Sequence, residues 1–182
     1  HVGEPLSFYE PVDRYNERWL ELTLLPRRRL PADQYPGFET MMEERNRRFA
    51  RHPGTNFIAA HMGWHANDLG RLAELLDRLP NVYAETAAIL YELGRQPWTA
   101  REFFVVYQDR ILFGKDRFVS DEFPYYWRTF ETRDEYFDYY RRYHAFWKLY
   151  GMDLPDEVLR KVYYLNALQI IPGIDQSQFP SS

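Results

Sequence analysis

Between residues 38 and 114, apolar segments short enough to be β-strands alternate with amphipathic segments long enough to be helices. The centres of the three apolar segments show no polar alternation, and the segments occupy residues 56–61, 81–85 and 110–114. Such segments are typical of strands that a parallel sheet buries on both faces. Helices are expected at residues 38–50, 68–79 and 97–107. The alternation predicts an α/β fold in which helical crossovers connect parallel strands.

Particular residues indicate where the helices begin and end. Asp68 is a suitable N-cap for the helix that follows it, because its carboxylate can accept a backbone N–H of the first turn. Thr99 and Glu102, three residues apart, resemble a capping box at the start of the next helix. Elsewhere the sequence predicts a short helix within 13–24, a final helix that begins near 153 and ends at Gly173, and a polar tail over 175–182. We expect residues 1–182 to form a single domain.

Aromatic residues are concentrated in one part of the chain. Fourteen of the 33 Phe, Trp and Tyr residues lie between Phe118 and Tyr150. This stretch is expected to form a loop and then a helix over 134–150 that cover the site as a lid. A subunit interface is an alternative, because aromatic residues are enriched at the centres of interfaces, and a sugar-binding platform is another.

The charge balance and two absences exclude several classes of protein. The 23 basic and 27 acidic residues give a net charge of −4, which argues against a nucleic-acid binder held by phosphate contacts. The run Arg27–Arg29 is interpreted as a solvated patch. The absence of cysteine excludes disulfides and thiolate metal sites. No apolar run reaches the ~20 residues of a membrane helix. The compartment is not determined by these features, although the cytoplasm is favoured.

Polar residues stand where the predicted strands end. His61 follows the first apolar segment, Glu85 ends the second and Asp116 follows the third, while His1 begins the chain. The carboxyl ends of parallel strands build the active sites of α/β folds, so these side chains are expected to converge. Imidazole and carboxylate are ligands of divalent metals such as zinc. Each residue also has a purely structural interpretation, as a buried histidine, a turn cap or a surface carboxylate.

Several blocks of sequence resemble the second half of the amidohydrolase-related family, whose members are metal-dependent hydrolases and decarboxylases built on a TIM barrel. The resemblance runs over most of the chain, in segments 1–5, 57–63, 81–85, 110–116 and 154–167. It implies that the chain is the C-terminal portion of a (β/α)8 barrel, about strands five to eight, with extra C-terminal helices.

The resemblance also implies roles for individual residues. His1 and Asp116 would bind a divalent metal, expected to be zinc. His61 would bind metal or transfer a proton, and Asp116 would handle the proton of the attacking water. Lys115, where the family has a small hydroxyl residue, and Arg117 would bind a carboxylate on a small-molecule substrate. Glu85 is also expected to be a substrate-binding residue.

The resemblance further implies that part of the family's metal site is missing. The His-x-His pair of the family's first strand is absent from the sequence. We therefore expect the chain alone to be inactive and to need the N-terminal half of the barrel or association with a second copy. The alternative is a non-catalytic scaffold or binding module that keeps the fold and associates through its aromatic surface.

Overall fold

The computed structural model describes residues 2–180, and His1 lies outside that range. Three strands form a parallel sheet in the order β1-β2-β3. The strands are β1 (Phe57–Ala59), β2 (Val82–Glu85) and β3 (Ile111–Leu112). The register pairs Phe57 with Val82 and Ala84 with Ile111. The predicted α/β class and parallel sheet are confirmed, whereas the assignment of these strands to particular positions in a barrel stays a prediction.

Helices connect the strands and flank them. The α-helices are α1 (Trp19–Leu24), α2 (Phe38–Arg51), α3 (Leu69–Arg78), α4 (Leu90–Leu93), α5 (Pro97–Val106), α6 (Phe123–Glu131), α7 (Asp156–Arg160) and α8 (Asn166–Ile170). A π-helical segment, Lys161–Leu165, joins α7 to α8. Short 3-10 turns cover Leu6–Phe8, Pro26–Arg28, Ala60–Trp64, Gln108–Arg110, Ser120–Glu122 and Gln176–Gln178. Within residues 2–180 no helix combines the length and apolarity needed to cross a bilayer.

The crossover helices follow the apolar periodicity. In α3 the Asp68 carboxylate accepts the Arg71 N–H at 3.0 Å, which confirms the predicted N-cap. The leucines of its inner face are buried: Leu69, Leu72, Leu75 and Leu76. The capping box predicted for α5 is wrong. Because Pro97 already begins the helix, Thr99 lies inside the first turn, and the N-cap residue Gln96 makes no side-chain capping bond.

The last helix is distorted where it contacts the sheet. Phe113 N donates to Val162 O at 2.7 Å, and the Asn166 side chain donates to Ile111 O at 2.7 Å. Because the Val162 carbonyl accepts a hydrogen bond from outside the helix, the regular helical hydrogen-bond pattern is interrupted, consistent with the π-helical turn there. The helix also begins at Asp156, later than predicted, after Pro155.

The helix predicted over 134–150 is wrong. The helix of this region is α6, which precedes it, and residues 132–152 are irregular, with one antiparallel bridge between Phe137 and Leu149. The buried aromatic, apolar and histidine residues do not follow a helical period, because they pack against several different elements. They are Phe137, Tyr139, His144, Ala145, Leu149 and Met152.

The segment before α2 is held by side chains rather than by regular structure. Residues 2–5 form no strand, contrary to the strand end expected there. The predicted helix within 13–24 shortens to α1. The buried Asn16 side chain donates to Ser7 O at 2.8 Å and accepts the Arg18 N–H at 2.8 Å. Local bonds of this kind compete with the helical ladder, so the helix begins only after Asn16.

Candidate active site at the strand ends

The chain turns in an unusual way after β1. His61, Met62, Gly63 and Trp64 all have positive φ angles, between 51° and 61°. A left-handed conformation costs an L-residue roughly 1–2 kcal/mol, and only glycine adopts it routinely. Consecutive non-glycine residues in this region are retained only where the surroundings hold them, and such strain clusters at functional sites.

Two contacts hold this turn in place. The buried Arg45 of α2 donates from Nη1 to Gly63 O at 2.5 Å and from Nη2 to the His65 Nε2 at 3.1 Å. The Trp64 indole N–H donates to Gly3 O at 2.9 Å. A guanidinium on one side and the N-terminal segment on the other therefore fix the backbone that carries His61.

The His61 ring has a defined orientation and tautomer. Its Nδ1 lies 2.8 Å from Ala87 O, and because a carbonyl only accepts, Nδ1 carries the proton. The ring stacks on Trp64, with centroids 4.3 Å apart. Nε2 is therefore the ring nitrogen that carries the lone pair, and it lies 3.6 Å from Oδ1 of Asp116.

Glu85 supports the same turn from β2. Oε2 accepts the His61 N–H at 3.1 Å and Oε1 accepts the Ala87 N–H at 2.6 Å. Burial raises the pKa of this carboxyl, and the two backbone N–H groups oppose that rise. A Cβ on Gly114 would lie 1.8 Å from Oε1, so only glycine lets the chain just after β3 pass this close to Glu85. Both Glu85 oxygens thus accept backbone N–H groups, one from His61 and one from Ala87, whose carbonyl contacts the His61 ring.

Lys115 and Arg117 both face Glu122. The Lys115 ammonium pairs with Glu122 and lies 5.1 Å from the Tyr126 ring centroid and 5.5 Å from that of Tyr140. Arg117 is exposed, with Nη2 3.7 Å from a Glu122 oxygen. The ion pair and the flanking rings account for the buried position of Lys115. The substrate-binding roles expected for both residues stay predictions.

His61 and Asp116 open into a cleft of about 220 Å³. Three arginines from elsewhere in the chain line the same cleft: Arg18, Arg28 and Arg141. Sequence reasoning missed all three. Arg28 belonged to a run interpreted as solvated, and only the acidic Glu21 between Leu20 and Leu22 hinted at buried charge near α1. Residues of the segment before α2 and of the aromatic-rich stretch 118–150 both contribute to the cleft wall.

The donor chemistry of His61 and Asp116 fits a divalent metal. Two ligands of one tetrahedral zinc lie about 3.4 Å apart, from Zn–N and Zn–O distances near 2.1 Å, close to the 3.6 Å observed. No group of three or more His, Asp or Glu side chains suited to hold a metal occurs within residues 2–180. The ligand role expected for His1 falls outside those residues.

Comparison with known proteins identifies the family of the chain. The family model described as "Amidohydrolase" matches residues 1–172. No curated protein and no solved structure matches the chain. The family match covers nearly the whole chain and includes His61, Glu85 and Asp116. The chain belongs to the amidohydrolase family.

Proposed function

We propose that this chain carries the strand-end part of the active site of a metal-dependent hydrolase that acts on a small molecule through an activated water. The observation that carries the proposal is the 3.6 Å approach of the His61 Nε2 to Asp116 at one end of the parallel sheet. Membership of the amidohydrolase family, which generally uses divalent metals, supports it.

In this proposal His1 and Asp116 would hold one divalent ion, for which zinc is the first choice, and His61 would either complete that ligand set or transfer a proton. The ion supplies Lewis acidity, which lowers the pKa of a bound water toward ~7. Asp116 accepts the proton of the attacking water, and the His61 Nε2 moves a proton to or from the substrate. The remaining metal ligands come from the N-terminal half of the barrel or from a second copy of the chain.

The Ala87 carbonyl keeps the histidine in the tautomer that this role needs. Neutral His61 has its proton on Nδ1, so the lone pair that would bind a metal or accept a proton is on Nε2. Glu85 accepts the backbone N–H groups of both His61 and Ala87, and therefore positions the ring. Decarboxylation by the same residues is the other reaction of this family.

Metal content and turnover of the Asp116→Asn variant test the proposal in the complete natural polypeptide. We expect this variant to lose bound metal and at least 100-fold in turnover, since it lacks the charged ligand. The matched control is Asp121→Asn, an exposed aspartate five residues away, which should retain both. Carbon dioxide release distinguishes decarboxylation from hydrolysis. Unchanged metal content and turnover in Asp116→Asn would refute the assignment.

A further inference from the structure

Two arginines in the cleft share one buried carboxylate. Arg18 pairs with Oε2 of Glu21 and donates to the Tyr91 hydroxyl, and Arg28 pairs with Oε1. Glu21 is fully buried. The Nε2 of His144 lies 3.4 Å from the same Oε1, and burial lowers the pKa of this histidine, so its neutral form is favoured. The group therefore holds two positive charges against one negative charge.

A second carboxylate nearby is shared by three cations. Lys115 pairs with Glu122, whose oxygens lie 3.7 Å from Arg117 and 3.9 Å from Arg141. One negative charge again faces more than one positive charge. Glu4 also lines the cleft, and burial raises the pKa of its carboxyl. Even with Glu4 counted as charged, the five cations of the two groups exceed the three carboxylates, so the arginine-lined part of the cleft is deficient in negative charge.

Donors in this part of the cleft remain free for a ligand. Arg28 uses Nη1 on Glu21, and its side chain is 46% exposed. The guanidinium of Arg141 makes no hydrogen bond with any of residues 2–180, and its nearest carboxylate oxygen is 3.9 Å away. A planar guanidinium with free N–H groups matches the two oxygens of a carboxylate. The 220 Å³ cleft lies below the roughly 300–1,000 Å³ of pockets for drug-sized ligands, so the ligand is small.

We infer that Arg28 and Arg141, which line the same cleft as His61 and Asp116, form a subsite for a carboxylate carried by the substrate. Arg18 is buried and already donates hydrogen bonds to Glu21 and Tyr91. It therefore keeps the Glu21 carboxylate in place. The inference rests on the proposed function in one respect, which is that the reacting end of the substrate lies at His61 and Asp116.

Benzoate and benzamide, which match in shape and differ in charge, are suitable probes. Calorimetric titration in EDTA at constant ionic strength should detect benzoate binding and at least tenfold weaker benzamide binding. Arg28→Gln and Arg141→Gln should each weaken benzoate binding about tenfold or more, because each removes a charged donor. The matched controls are Arg27→Gln and Arg142→Gln, whose arginines are exposed neighbours outside the cleft, and they should change binding less than twofold.

Circular dichroism confirms that each variant is folded, and Arg28→Gln alone decides the test if Arg141→Gln fails to fold. Equal binding of benzoate and benzamide, or an equal loss in the neighbouring controls, would overturn the inference. So would inorganic phosphate that binds as tightly as benzoate, since this would indicate a general anion site. Asp116→Asn should still bind benzoate in EDTA, which separates failure of the subsite from failure of the metal-dependent function.

Discussion

Acidification should weaken the turn that carries His61, through the neighbouring His65. The His65 side chain is buried, and its Nε2 accepts from Arg45, a group that only donates. Its ring meets Phe38 edge-on, at 5.9 Å between centroids. A proton on Nε2 would remove the acceptor and place a second positive charge against the guanidinium. Burial, followed by the charge of Arg45, lowers the pKa of His65 from 6.5 to about 3.

The size of the effect follows from that pKa. The folded state resists the proton while the unfolded chain takes it up at about pH 6.5, so the His65 contribution to stability is complete above that pH. It is lost as the pH falls toward 3. Each unit below 6.5 costs about 1.4 kcal/mol, and therefore at pH 5 the loss is about 2 kcal/mol. For a chain of this length the corresponding fall in Tm is about 4–8 °C.

Urea unfolding at intervals between pH 7.5 and 5 measures this loss. Other buried groups also titrate, and burial raises the pKa of Glu92 to about 8, which gives the opposite sign. The informative quantity is therefore the difference from His65→Gln, which should lose about 2 kcal/mol less between these pH values than the wild type. Leu76→Ala, a core substitution without a titrating group, should follow the wild-type pH dependence despite its lower stability. Parallel curves for His65→Gln and the wild type would refute the reasoning.

Two further substitutions test the local structure. Gly114→Ala places a methyl group where the Glu85 carboxylate lies, so it should destabilise the fold by about 1–3 kcal/mol and expose the His61 amide to hydrogen exchange. Gly54→Ala, with nothing within 4 Å, is its control and should change stability by less than about 0.5 kcal/mol; equal effects would contradict the packing argument. Asp68→Ala removes the N-cap of α3 and should lower the free energy of unfolding by about 1 kcal/mol, measured by thermal unfolding. Asp68→Asn keeps a capping oxygen and should retain most of that stability. Equal losses in the two Asp68 variants would show that the hydrogen bond is not the cause.

The parts of the fold that the sequence predicted are those that local periodicity controls. The leucines of α3 recur on one helical face, and each strand is a short apolar run bounded by turn residues. The irregular structure of residues 132–152, after α6, could not be predicted from local periodicity. Its aromatic residues are buried by contacts from distant elements, as when the Trp147 indole N–H donates to Tyr91 O at 2.9 Å. Such long-range packing overrides the local helical preference that the prediction used.

The same distinction explains what was foreseen of the site. His61 and Asp116 follow strands, and parallel strands end at one edge of a sheet, so their approach was predictable from order alone. The left-handed backbone at Met62 and Trp64 was not, because neither residue type favours it. The arginines of the cleft come from loops, where neither periodicity nor sheet geometry determines which side chains meet.

The cleft residues come from the strand ends and from loops, and these two sources imply separate roles in chemistry and in substrate recognition. The backbone of β2 and the turn after it fixes His61, through Glu85 and the Ala87 carbonyl, and no contact in this set involves Arg28 or Arg141. The arginines belong to segments whose conformation depends on side-chain contacts rather than on the sheet. Changes in those segments can therefore alter which substrate binds while the tautomer and position of the histidine stay the same. Loops that carry recognition on a rigid scaffold that carries chemistry are the usual way in which α/β folds acquire new substrates.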